Sequence, residues 1–157
     1  MIIIGAKGRL DIERALKELK SMGKFAQVLD ASVVCGKEHL IIAYEHAKRA
    51  FKNGRNVCKN IEMEFMLYAS AKRQIKDAIE FIGAKEEGVY AFVFDDISKE
   101  EAIDFVKKLN LKIDNKVLQP TMEKLGKFVR EKELETVDKA FYFDLLFEKM
   151  ALLNAIK

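Results

Sequence analysis

Cys35, Gly36, Lys37, His39 and His46 fall within one short stretch of the chain, so a metal site, a thiol nucleophile and a phosphate loop must each be considered there. The two histidines lie seven residues apart on a run with helical spacing and so share roughly one face, with Cys35 about one turn before His39. That spacing lacks the i,i+4 geometry of paired helical zinc ligands, and no third acidic ligand follows at a recognisable distance. The reading is a buried cysteine with histidines on a polar surface, and no metal. Gly36-Lys37 lacks the earlier glycine of a phosphate loop, and Glu38 stands where the hydroxyl residue would be, so no nucleotide site follows. Asp95-Asp96 could hold magnesium or do acid–base work, but such a pair more often forms a solvated turn, here leading to a Ser98 helix cap. No catalytic set is left, and no cofactor is expected.

Binding is better supported than turnover. A glycine-to-helix transition exposes backbone N–H groups at the positive end of a helix, and Lys37 adds charge for an anion. Lys59-Asn60 precedes one apolar helix and Lys72-Arg73-Gln74 lies between two, so cations and amides gather where the chain turns. Lys and Arg neutralise phosphates, Asn and Gln suit base edges, and Arg also stacks on a base. An ordinary set of basic helix ends would look the same from composition.

Several elements must position these residues. Ile2–Ile4, Phe25–Leu29 and Val89–Phe94 read as strands. Asp11 is placed to cap a helix with Ile12, Ala15, Leu16 and Leu19 on one face. Residues 37–51 are helical by spacing, stopped by Lys52-Asn53-Gly54, and residues 61–71 and 74–81 read as core helices. Ser98 with Glu101 forms a capping box for a helix ending near Leu109. Pro120 suits the first turn of another helix, and a long final helix is expected over residues 134–155. Its stripe of Leu134, Val137, Phe141, Leu145 and Leu152 suffices for docking, and with Phe143, Leu146, Phe147, Met150 and Leu153 left over the helix is either deeply buried or offers a face to a partner. Few strands without strict alternation with helices predict a single two-layer α+β domain over residues 1–157, a small, mostly antiparallel sheet packed with about six helices.

The chain has 157 residues, 50% hydrophobic and 34% charged, with one proline, which excludes disorder and leaves room for one core. Its net charge of +3 is unevenly distributed. Residues 1–36 hold six Lys/Arg against four Asp/Glu, residues 37–76 nine against four, and residues 77–157 thirteen against seventeen. A positive middle beside a negative C-terminal half suits separate anionic and protein contacts. Two cysteines without a paired motif favour a reducing, cytoplasmic setting, and no apolar run reaches membrane-spanning length.

Three motifs are similar to a known family. They are Val33-Val34-Cys35-Gly36-Lys37-Glu38-His39-Leu40; Ala43-x-x-His46-Ala47-x-Arg49-Ala50-Phe51; and Asn60-Ile61-Glu62-Met63-Glu64-Phe65-x-Leu67-Tyr68-Ala69-Ser70-Ala71-Lys72-Arg73-Gln74-Ile75. Together they resemble the small-subunit family of the KEOPS complex, whose human relative is the PRPK-binding protein. The strong part covers about residues 26–83, and the Lys- and Ile-rich composition suggests an archaeal member.

The resemblance implies a non-catalytic subunit of the machinery that makes threonylcarbamoyladenosine in tRNA. Such a subunit docks on the atypical kinase/ATPase subunit and helps hold tRNA by its 3′ CCA end. Carried over on matching positions, the RNA-binding residues are Gly36, Lys37, His39, Lys59, Asn60, Arg73, Gln74 and Ile75, expected to converge. The partner-binding residues are Leu146, Phe147, Met150, Leu153 and Asn154. His46, Arg49 and Tyr68 also fit the pattern and are open to a structural reading, while Ala71 stands where the family pattern leads one to expect glycine. The alternative is a regulator of the kinase that acts through protein contacts alone, without RNA.

Overall fold

The computed structural model describes residues 1–156. Its centre is a four-stranded antiparallel sheet of β1 (Ile2–Arg9), β2 (Ala26–Asp30), β3 (Glu87–Phe94) and β4 (Lys112–Ile113), in the order β2-β3-β1-β4. The period-2 alternation of strands sends successive side chains to opposite faces. Ile3, Leu29, Ala91 and Val93 belong to one buried cluster, whereas Ile4, Val28, Tyr90, Phe92 and Phe94 belong to another. Both faces are apolar, so both must be covered.

The α+β class and the antiparallel sheet are as expected, but the layering exceeds two. Helices α1 (Ile12–Ser21) and α5 (Lys99–Lys108) place Ala15, Leu19, Ala102 and Val106 over the aromatic face. Helices α2 (Gly36–Lys52), α3 (Ile61–Ser70), α4 (Ile75–Ile82) and α8 (Asp144–Ile156) cover the other, with the single-turn helices α6 (Met122–Leu125) and α7 (Glu131–Leu134) beside them. The large rings of Tyr90, Phe92 and Phe94 supply the reason for the extra layer, since leaving them in water would forfeit about 1.5–3 kcal/mol each.

Local signals mostly act where they stand. Asp11 accepts the Arg14 N–H at 3.1 Å and Ser98 accepts the Glu101 N–H at 3.1 Å. Leu16, however, is 45% exposed and lies off the buried stripe of α1. In α3 every residue from Phe65 to Ala69 is buried, and Ala71 ends it in the left-handed region at φ 56°. An alanine thus performs the turn for which glycine was expected. By contrast α4 buries only Ala78 and Ile82 and is amphipathic, not a core helix.

The C-terminal region departs furthest from expectation. Pro120 precedes Thr121, whose side chain caps α6, so the proline lies outside the helix it was expected to open. The long final helix is broken into α7, a 3-10 turn at Lys139–Phe141 and α8. Thr136, Val137 and the run Phe141-Tyr142-Phe143 are weak helix formers, and Asp138 starts the intervening turn.

Candidate functional site

The first motif folds around a buried histidine. Gly36, at φ 88°, opens α2, and a side chain there would be in ordinary contact with Pro120 at 3.5 Å, so its backbone conformation is what requires glycine. His39 Nδ1 accepts the Cys35 backbone N–H at 3.0 Å, which leaves the proton on Nε2 to be donated to the Ala69 carbonyl at 2.7 Å. The ring is fully buried, and burial pushes its pKa down to about 4. His39 is therefore not the surface residue read from the sequence, and it is not exposed to RNA in this structure. It joins the start of α2 to the end of α3. Burial also pushes the Cys35 thiol up to about 11, which removes it from nucleophilic chemistry at neutral pH.

Lys124 Nζ ties α6 to the segment before α2 by donating to the Val34 carbonyl at 2.8 Å and to the Val117 carbonyl at 2.6 Å. It had no sequence signal, because a lysine on a one-turn helix looks like any solvated cation. At the other candidate acid–base position, Asp95 accepts the Tyr44 hydroxyl at 2.6 Å. That bond, partly opposed by burial, holds its carboxyl below the usual carboxylate range. Asp96 pairs with Lys24 at 2.6 Å. Both carboxylates thus have partners within the fold.

The basic segments separate into two groups. Lys37 is exposed at the start of α2, and Arg73 and Gln74 are exposed in the turn from α3 to α4, with Ile75 half-buried beside them. Gln74 is the N-cap of α4 but makes no side-chain cap bond, so its amide faces outward. Lys72 lies over the Phe81 ring, 4.8 Å from its centroid. Lys59 and Asn60 sit at the opposite end of α3, where the Asn60 side-chain Oδ1 accepts the Met63 N–H at 2.9 Å and caps the helix. Ten helical residues span roughly 15 Å. The expected single point of convergence is therefore an extended strip.

A small cleft lies beside the Arg73 group. It is lined by Val57, Leu67, Lys72, Arg73, Leu153 and Ile156, so α8 forms one wall. Asn154 ties that helix down. Tyr68 Oη donates to its Oδ1 at 2.5 Å, its Nδ2 donates to His46 Nδ1 at 3.2 Å, and Arg55 donates to its carbonyl at 2.9 Å. His46 stacks on Tyr68 with centroids 5.0 Å apart. These two motif residues, left open in the sequence, have structural work inside the fold.

The partner-binding residues need a correction of face. Leu146, Met150 and Leu153 are 0%, 0% and 4% exposed, so the domain covers them itself, and Asn154 is engaged inward. Phe147 is half-buried. With the preceding helix broken, α8 docks through Leu145, Leu146, Met150 and Leu153 and turns Leu152 and Ile156 outward, at 62% and 51% exposure. Val57, 61% exposed, lies beside Ile156 at the cleft.

The buried imidazole and both carboxylates of the Asp95-Asp96 pair have partners within the fold, and exposed cations lie at both ends of α3. No helix among the described residues is long and apolar enough to cross a membrane, and no group of three or more His, Cys, Asp or Glu among them could hold a metal. The family model described as "Kinase binding protein CGI-121" matches residues 10–152, and the chain belongs to that family. It is 31% identical over 131 residues to "Regulatory protein Cgi121" of Methanocaldococcus jannaschii, covering 83% of this chain and 82% of that protein. It is 34% identical over 110 residues to "KEOPS complex subunit Cgi121" of Pyrococcus abyssi, covering 68% of this chain and 61% of that protein. The resemblance carried by residues 33–75 was to this same small-subunit family.

Proposed function

We propose that this protein is a non-catalytic KEOPS subunit that docks on the kinase/ATPase subunit and holds the unpaired 3′ CCA end of tRNA, in support of threonylcarbamoyladenosine formation. The observation that carries the RNA half is the strip itself. Lys72 and Arg73 line a small cleft with Leu67 and Leu153, and the exposed Lys59 stands at the opposite end of α3, an arrangement that offers charge to phosphates and apolar surface to bases. A single-stranded end exposes base faces and edges to such a strip, whereas a duplex hides them in its deep major groove. Gly36, Lys37, Asn60, Gln74 and Ile75 contribute at its two ends, with His39 acting from beneath.

The kinase half rests on family membership and on the exposed series Leu152, Ile156 and Val57. A protein-only regulator is the second reading, favoured by that same apolar series. The discriminating experiment measures binding of the isolated protein to intact tRNA and to tRNA trimmed of its CCA end over a salt series. The RNA reading expects markedly weaker binding after trimming and steep salt dependence. No binding to either RNA leaves the protein-only regulator, and equal binding of both overturns the assignment to the CCA end.

A further inference from the structure

The connection between α2 and α3, residues 53–60, contains neither helix nor strand, yet it carries Lys59, Asn60 and Val57. Beneath it lies Glu64, whose side chain belongs to a fully buried residue. A buried carboxylate is costly unless its oxygens are hydrogen-bonded. Here Oε1 accepts two backbone donors from the loop, the Val57 N–H at 3.0 Å and the Cys58 N–H at 2.8 Å. Those two N–H groups immediately precede Lys59, and Val57 lines the cleft with Lys72 and Arg73.

We infer that Glu64 is a positioning residue for RNA: it clamps the 53–60 loop from inside so that Lys59 meets a phosphate and Val57 closes the cleft. This rests on the RNA reading given above. A carboxylate in a core is a poor stabiliser compared with a hydrocarbon of the same volume, but two convergent bonds to adjacent amides fix a loop that has no other regular structure. Lys59 is useful to a single-stranded ligand only if its backbone is held in register with Arg73. A mobile lysine would lose much of its contact to ordering entropy.

Glu64→Gln keeps a carbonyl oxygen for both N–H groups, Glu64→Ala removes it, and Glu64→Met removes it while filling the volume. Amide hydrogen exchange reports the clamp directly. Exchange at Val57 and Cys58 is expected to accelerate in the Ala and Met variants and to stay slow in the Gln variant. Intact tRNA is expected to bind Glu64→Gln nearly as well as the parent and to bind Glu64→Met about tenfold more weakly, with a salt slope shallower by about one phosphate contact. Lys59→Glu is expected to weaken the parent but to add little in the Glu64→Met background. A folded Glu64→Met protein with parental affinity, or with the full Lys59→Glu penalty, overturns the proposal. If exchange accelerates as expected but the parent binds no tRNA, the clamp stands as loop chemistry and the RNA reading falls, taking the positioning role with it.

Discussion

Nε2 of His39 lies 2.7 Å from the carbonyl oxygen of Ala69, thirty residues further along the chain. Through this bond and the Cys35 N–H on Nδ1, one neutral imidazole fixes the start of α2 against the end of α3. Lys37 and Arg73 are thereby carried on backbone that a single buried ring holds together.

That ring makes folding pH-dependent. Its pKa falls from 6.5 in the unfolded chain to about 4 in the fold because burial penalises the cation. The contribution is thus complete above pH 6.5, declines as pH drops towards about 4, and is constant below. The full loss is on the order of 3 kcal/mol. Urea midpoints measured between pH 7 and pH 4.5 should fall steeply for the parent, and His39→Gln should lose most of that slope while being less stable at pH 7.

Helix α8 allows inward and outward substitutions to be compared directly. Met150→Glu places a charge in the core and is expected to cost several kcal/mol, enough to prevent folding. Leu152→Glu and Ile156→Glu lie on the exposed side and are expected to change stability by less than about 0.5 kcal/mol. Under the docking reading, those two variants remain folded and fail to co-elute with the kinase subunit. Co-elution at parental affinity by both would move the docking surface away from α8.

The contrast on α8 also shows what the sequence could convey. The helically spaced series Leu146, Met150 and Leu153 was legible as one stripe, but periodicity does not say whether a stripe faces the protein's own core or a partner. That depended on where the helix begins, and the break at residues 135–143 turned Leu146, Met150 and Leu153 inward beside Leu145 and left Leu152 outside. The strand cores, the Asp11 and Ser98 caps and the exposed turn at Arg73 were legible because each depends on local chemistry. The roles of His39, Glu64, Lys124 and Asn154 were not, since each is defined by a partner distant in sequence or by a loop without regular structure. Buried polarity was the missing signal: Glu64 opens the fully buried run that continues from Phe65 to Ser70.

Gly36 is expected to resist substitution for a conformational reason. Its φ of 88° is unfavourable for a residue with a Cβ, while the nearest atom to such a Cβ, in Pro120, is at an ordinary 3.5 Å. Gly36→Ala should therefore cost about 1–3 kcal/mol from backbone strain, without a clash. Denaturant unfolding with an unchanged m-value and a lower midpoint would show this. No loss of stability would mean that the turn relaxes.

Arg73 and Lys59 belong to opposite ends of α3, and that separation yields the last prediction. Neither makes an ion pair within the described residues, so reversing either charge breaks no salt bridge there and is expected to leave the fold intact. Each reversal should lower the salt slope of tRNA binding by about one phosphate contact, or ~0.7 for a single strand. The helix between them is roughly 15 Å long, beyond a Debye length of about 8 Å at physiological salt, so the two cations are screened from one another. Effects at sites farther apart than about 7–10 Å usually add, and the Lys59→Glu/Arg73→Glu double variant should lose the product of the two single fold-changes. A double variant no weaker than the worse single one would mean that both cations serve one phosphate, which requires the loop to fold over the cleft. If neither single change alters the affinity or the slope in a folded protein, these cations are solvated surface and the protein-only reading takes over.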